Sequence, residues 1–252
     1  MVQGLPTAEL GRTGLRVTRL GCGRFALGDL EPSQVDSHGR AAVETAWETG
    51  VRYFDTAPKY GLGQSERCMG SVLSAQPRDS FVLSTKVGLV TDVNEPRGRR
   101  IDFSRDGVLR AFDLSLERLR LDRIDILYIH DPKSLSDAFD EAYPTLRELR
   151  EDGVVRAIGI GAGRASLLQC VKEEAEFDTL LVAGGDDYTI LGQAAFDELL
   201  PICEAKGIGA TVAPYALRAF EALDPGREYP PGRSAETANR VRQIDQVCRR
   251  YG

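Results

Sequence analysis

The chain has 252 residues, 42% of them apolar and 28% charged, with a net charge of −6 at pH 7. That length suits one large domain or two small ones, and the composition supplies an ordinary globular core. The interspersed charges lack the footprint of a nucleic-acid binder, no apolar run approaches the roughly 20 residues of a membrane helix, and from the polar start MVQGLPTAELGRTG no secretion signal is expected.

From the N-terminus, AELGRTGLRVT (8–18) reads as a small hairpin with a glycine turn, a shape that plugs one end of a barrel. A first strand is expected at 17–23, then a helix at 33–49 ending at Gly50. Strands follow at 52–57 and 81–87. A helix over 104–120 opens on Ser104 as N-cap and carries an apolar stripe of Leu109, Phe112, Leu116 and Leu119. A strand at 124–130 leads to a helix at 135–152 that stops at Gly153. Strands at 154–161, 179–184 and 208–214 alternate with helices at 164–175 and 193–206. A last helix at 235–251 places Val241, Ile244, Val247 and Cys248 on one face. The segments 93–100 and 223–233 read as loops on the side where strands end, either covering a pocket or simply connecting elements.

About seven β-α repeats without a linker predict one α/β domain over 1–252 with a parallel sheet. An open doubly wound sheet and a TIM (β/α)8-type barrel both fit, and the N-terminal hairpin favours the barrel. The five cysteines, Cys22, Cys68, Cys170, Cys203 and Cys248, are odd in number and form no C-x-x-C pair, which points to a reducing cytoplasm and away from a thiolate metal site. With only His38 and His130, a histidine metal site has little to work with; His38 falls in a predicted helix and reads as a surface residue.

In a parallel barrel, functional groups project from the C-terminal ends of strands. Here three such ends deliver Asp55, Lys86 and His130, and Tyr60 lies in the loop just past Asp55. A free phenol has a pKa near 10, and a neighbouring ammonium lowers it. Lys86 can do this for Tyr60, Asp55 can hold the ammonium, and His130 can hydrogen-bond a substrate oxygen. Each residue alone has a plainer reading: a turn cap, a packed loop aromatic, a surface lysine, a core imidazole. Together on consecutive strand ends they point to a shared acid–base site.

The segments FDTAPKYGLGQSE (54–66), LSTKVG (83–88) and DGVLRAFDLSLERLRLDRIDILYIHDP (106–132) closely resemble signature segments of the aldo-keto reductase family. AYPTLRELREDGVVRAIGIG (142–161) and FDELLPICEAKGIGA (196–210) resemble its branch of bacterial D-threo-aldose, L-fucose and pyridoxal dehydrogenases. The resemblance implies an aldo-keto reductase-like barrel and the catalytic set Asp55, Tyr60, Lys86 and His130, with Tyr60 as proton donor or acceptor. It also implies NADP or NAD as cofactor, bound without a Rossmann fingerprint, and a small aldose or aldehyde as substrate.

The cofactor side departs from the family pattern. GAGR (161–164) replaces the usual Ser-Asn, and GGDDYTIL (184–191) brings Asp186 and Asp187. APYALR (213–218) stands where a serine usually touches pyrophosphate. Cofactor contacts are therefore expected from Asp55, Gly161 and Tyr215, the last stacking on nicotinamide or serving as a rim aromatic. The string Gly159, Gly161, Gly163 is a phosphate signal or a tight-packing signal. The sequence ends near a seventh helix, so the barrel is expected to be C-terminally incomplete: a fragment, a natively open barrel, or one closed by a partner or a second copy. Three functions follow: a redox enzyme, a non-redox acid–base enzyme that lost the nicotinamide grip, and a non-catalytic regulatory subunit. The intact catalytic set favours the first.

Overall fold

The computed structural model describes residues 4–23, 32–92, 98–132, 134–172, 176–183, 195–213 and 235–251. Two short strands, β1 (Thr7–Glu9) and β2 (Arg16–Thr18), pair antiparallel as the expected hairpin. The barrel strands are β3 (Cys22–Gly23), β4 (Tyr53–Asp55), β5 (Val82–Val87), β8 (Ile126–His130), β9 (Ala157–Ala162), β10 (Thr179–Ala183) and β11 (Gly209–Ala213). They form one sheet in the order β11-β10-β9-β8-β5-β4-β3, parallel throughout, and the sheet is a nearly closed TIM-type barrel. β6 (Leu89–Val90) and β7 (Arg100–Ile101) form a separate antiparallel pair.

Side chains alternate across a strand, and this period sorts the interior into two cores. Phe54, Leu83, Val87, Leu127, Ile129, Ile158, Ile160, Leu180 and Val182 face outward and pack under the helices. Tyr53, Val82, Ile126, Tyr128, Ala157 and Leu181 fill the barrel, where Leu10, Leu15 and Val17 of the hairpin cap them. The hairpin thus plugs the floor. Its turn is tied down by Arg12 N–H donating to Gly207 O at 2.8 Å. The same alternation makes Ser84 and Lys86 of β5 inward and Thr85 outward.

The helices are α1 (Pro32–Glu48), α2 (Gln64–Leu73), α3 (Arg105–Leu119), α4 (Tyr143–Glu151), α5 (Arg164–Cys170), α6 (Leu200–Lys206) and α7 (Ala235–Tyr251). Ser104 caps α3 as expected, its hydroxyl accepting from Gly107 N–H. Phe112 and Leu119 are buried, and Leu109 and Leu116 pack against the core.

The structure departs from the sequence expectations in several places. The strand expected at 17–23 is split: Arg16–Thr18 belongs to the hairpin, Leu20 is exposed, and pairing resumes at Cys22. α2 was not anticipated, because buried Ser65 and Glu66 interrupt its apolar stripe and Gly63 gives no side-chain cap. The segment 93–100, expected as loop, ends inside β7 at Arg100. The helices expected at 135–152 and 193–206 contain π-helical turns, Asp137–Ala142 and Ala195–Leu199. In both, a proline (Pro144, Pro201) opens the α-helical part; it lacks the N–H that would continue the regular ladder. In α7, Val247 and Cys248 are exposed.

Gly159 settles one ambiguity. A Cβ there would lie 2.2 Å from Thr179 O and 2.7 Å from the Tyr128 ring, so the glycine lets the tyrosine lie flat inside the barrel. Gly159→Ala is expected to destabilise by about 1–3 kcal/mol through overpacking. A denaturant midpoint unchanged from the parent would remove this account.

Candidate active site

The register of the sheet brings three of the expected groups to one rim. Asp55 ends β4, opposite Ser84 of β5. Lys86 sits one residue before the end of β5, opposite Tyr128. His130 ends β8, opposite Gly161 of β9. Strands β4, β5 and β8 are adjacent in the sheet, so the three side chains share one end of the barrel.

Lys86 is 1% exposed. Its Nζ donates to Asp55 Oδ2 at 2.7 Å and to Thr56 O at 2.6 Å. The same Nζ lies 5.0 Å from the centroid of the Tyr60 ring. The ammonium and the Tyr60 ring thus lie on the same side of the barrel, within cation–π range. The other Asp55 oxygen accepts from Ser84 Oγ at 2.7 Å. Behind Ser84, hydroxyls continue into the barrel: Tyr53 OH is 3.3 Å from Ser84 Oγ and 3.4 Å from Tyr128 OH, which is 3.3 Å from Thr179 Oγ1. Burial pushes the phenol of Tyr53 up and that of Tyr128 well up, so both remain neutral hydroxyls.

His130 and Tyr60 meet edge to face, ring centroids 5.6 Å apart. Burial lowers the imidazole pKa to about 2, helped by the positive charges of Lys86 and Lys59. His130 is therefore neutral at physiological pH, with one N–H to donate and one nitrogen to accept.

The Tyr60 loop is held from below. Gly61, Leu62 and Gly63 all take positive φ (58°, 51°, 84°), a sharp turn that feeds the chain into α2. Ser65 N–H donates to Tyr60 O at 3.2 Å, and Ser65 Oγ meets Thr56 Oγ1 at 2.8 Å. Beneath them lies a buried ion pair. Glu66, fully buried, accepts from Arg118 Nε at 2.6 Å and from Thr85 Oγ1 at 2.7 Å. Arg118 also donates to Thr91 O at 2.9 Å. Glycine at 63 is needed here, since a Cβ would come 2.6 Å from the Arg118 side chain.

Ser84, Glu66 and Arg118 were not singled out from sequence. A signal existed: Glu66 shares a helical face with Met69 and Leu73, and Arg118 shares one with Val108, Ala111 and Ser115. A charge of each sign inside an apolar stripe marks a buried pair.

On the cofactor side, Gly161 is buried beside His130, and its carbonyl accepts from Asp131 N–H at 2.9 Å. A Cβ at Gly161 would approach Leu181 to 3.3 Å. Among the described residues, the inward-facing positions at the ends of β9, β10 and β11 are Gly161, Ala183 and Ala213, none larger than a methyl. Such a rim beside a buried ammonium fits a flat nicotinamide ring. Tyr215, Asp186 and Asp187 lie outside the described residues.

A parallel barrel with an ammonium, carboxylate, phenol and neutral imidazole gathered at its strand ends defines a barrel enzyme with acid–base equipment. Residues 19–252 match the family model described as the aldo/keto reductase family. A D-threo-aldose 1-dehydrogenase from a Pseudomonas species is 41% identical over 219 residues, 79% of this chain and 66% of that protein, just under two thirds of its length. A pyridoxal 4-dehydrogenase from Microbacterium luteolum is 32% identical over 279 residues, 96% of this chain and 80% of that one. The holo form of an aldo-keto reductase from Bacillus halodurans superposes with a TM-score of 0.78 at 25% identity, covering 96% of this chain and 76% of that one. The chain belongs to the aldo/keto reductase family, a family of NAD(P)-dependent oxidoreductases. Among the described residues no helix is long and apolar enough to cross a membrane.

Proposed function

We propose that this protein interconverts a carbonyl and an alcohol on a small aldose or aldehyde, with Tyr60 carrying the proton. The observation that supports it most is the Lys86 ammonium, held 2.7 Å from Asp55 and 5.0 Å from the Tyr60 ring centroid in a site closed to water on the lysine side. An ammonium beside a phenol favours the phenolate and eases proton transfer in either direction. Asp55 holds the Lys86 side chain in place, and is itself steadied by Ser84. His130, neutral, donates a hydrogen bond to the substrate oxygen and orients it toward Tyr60. NADP or NAD, when bound, supplies or accepts the hydride; Asp55, Gly161 and Tyr215 are the residues we assign to hold it.

The substrate class rests on the relatives, which act on sugars and pyridoxal by name. We further place the protein as a single barrel domain in the cytoplasm, on its odd number of cysteines and the lack of a C-x-x-C pair. A partner segment or second copy against the outer edges of β3 and β11 belongs to the same reading.

Tyr60→Phe tests it. Turnover of a sugar and aldehyde panel, followed by nicotinamide absorbance, is expected to fall about 10²- to 10⁴-fold while NAD(P)H binding by calorimetry persists. Retained turnover in the variant would sink the role of Tyr60. Absent binding in the parent would shift the reading to a non-redox acid–base enzyme.

A further inference from the structure

We infer that Lys59 is a positioning residue that holds the Asp131 carboxylate off His130 Nε2 and so keeps that nitrogen for the substrate oxygen. The inference rests on the proposed role of His130. Lys59 immediately precedes Tyr60, and Asp131 immediately follows His130, so the pair brackets the two ring side chains across the rim. Lys59 Nζ donates to Asp131 Oδ2 at 3.2 Å. That same oxygen lies 3.6 Å from His130 Nε2, beyond a hydrogen bond but within reach of one after a small side-chain rotation.

The backbone narrows the choice. Asp131 adopts φ 43°, a left-handed conformation seldom taken by a residue with a side chain, though aspartate tolerates it better than most. Its N–H is fixed on Gly161 O at 2.9 Å. Strained residues of this kind gather at functional sites. With the backbone pinned, a side-chain rotation carries the carboxylate from one donor, the ammonium of Lys59, to another, the N–H of His130.

Chemistry decides what each position means. A carboxylate accepting from an imidazole N–H makes a charge-assisted bond, stronger than the one a neutral carbonyl oxygen makes. Released from Lys59, Asp131 would compete with substrate for His130 and win. The charged groups facing His130 are Lys86, Lys59 and Asp131. Lys59 therefore acts twice: it opposes a proton on the imidazole, and it draws away the carboxylate that would occupy it. Both partners are about half exposed, so the restraint is loose enough to yield.

Lys59→Met tests this on the whole chain. With two histidines, His38→Gln assigns the imidazole signals, and nitrogen-15 spectra at neutral pH report the His130 Nε2–H directly. Lys59→Met is expected to move that proton downfield, the mark of a carboxylate acceptor, and to raise KM for carbonyl substrates about tenfold with a smaller change in kcat. Lys59→Arg, which keeps the charge, restores both values, and adding Asp131→Ala to Lys59→Met returns KM toward the parent. An unmoved Nε2–H signal, or a double variant no better than Lys59→Met, overturns the restraint. A moved signal with unchanged KM leaves the restraint standing and instead overturns His130 as the holder of substrate.

Discussion

Lys86→Met is expected to lower kcat about 10²- to 10⁴-fold, the range of a lost acid–base contribution. The methionine fills much the same volume, so the lesion is one of charge. Without the ammonium, Tyr60 loses the positive charge beside its ring and Asp55 loses its 2.7 Å partner. Removing one member of a buried pair also destabilises the fold, because the remaining charge is left uncompensated. The variant Lys86→Met/Asp55→Asn separates the two effects: it is expected to regain stability and stay inactive. A double variant that recovered turnover would show that the charge at 86 is not needed for the chemistry.

Glu66→Ala carries the largest expected cost in stability. Among the described residues it leaves the buried Arg118 guanidinium only Thr91 O and Ser115 Oγ as partners. Breaking such a pair costs about 3–5 kcal/mol. For a chain of this size that lowers the melting temperature by roughly 6 °C or more. Glu66→Ala/Arg118→Met removes both charges and is expected to recover most of the loss. Scanning calorimetry reads both variants, and a single variant melting within about 2 °C of the parent would refute the account. Activity should fall beyond what stability explains, because Glu66 also anchors Thr85, next to Lys86, and starts the helix that follows the Tyr60 turn.

Much of the architecture was written locally. Short runs apolar on both faces marked the barrel strands from β4 onward, while the first was placed across the hairpin and β3; Asp55, Lys86 and His130 stood out because strand ends of a parallel sheet are where functional side chains project. Tyr60 was found through its spacing from Asp55. The supporting residues were harder to see. Ser84 looks like any buried serine, and its meaning comes from sitting opposite Asp55 across β4 and β5. α2 escaped notice because its buried face carries Ser65 and Glu66, and only a helix 52 residues further on supplies the charge that makes Glu66 tolerable inside. The glycine string at 159–163 pointed equally to phosphate and to packing; at Gly159 the Tyr128 ring decides for packing.

The amino-acid order alone determined the alternation of strand and helix, the parity that turns Asp55, Lys86 and His130 to the same side, and the hairpin that closes the floor. These follow from backbone periodicity and the burial of apolar side chains, which act over a few residues. Only the folded chain decided which charges meet: Lys86 with Asp55, Glu66 with Arg118, Lys59 with Asp131. Electrostatic partners are set by distance in space, and the register that fixes those distances is a property of the whole barrel.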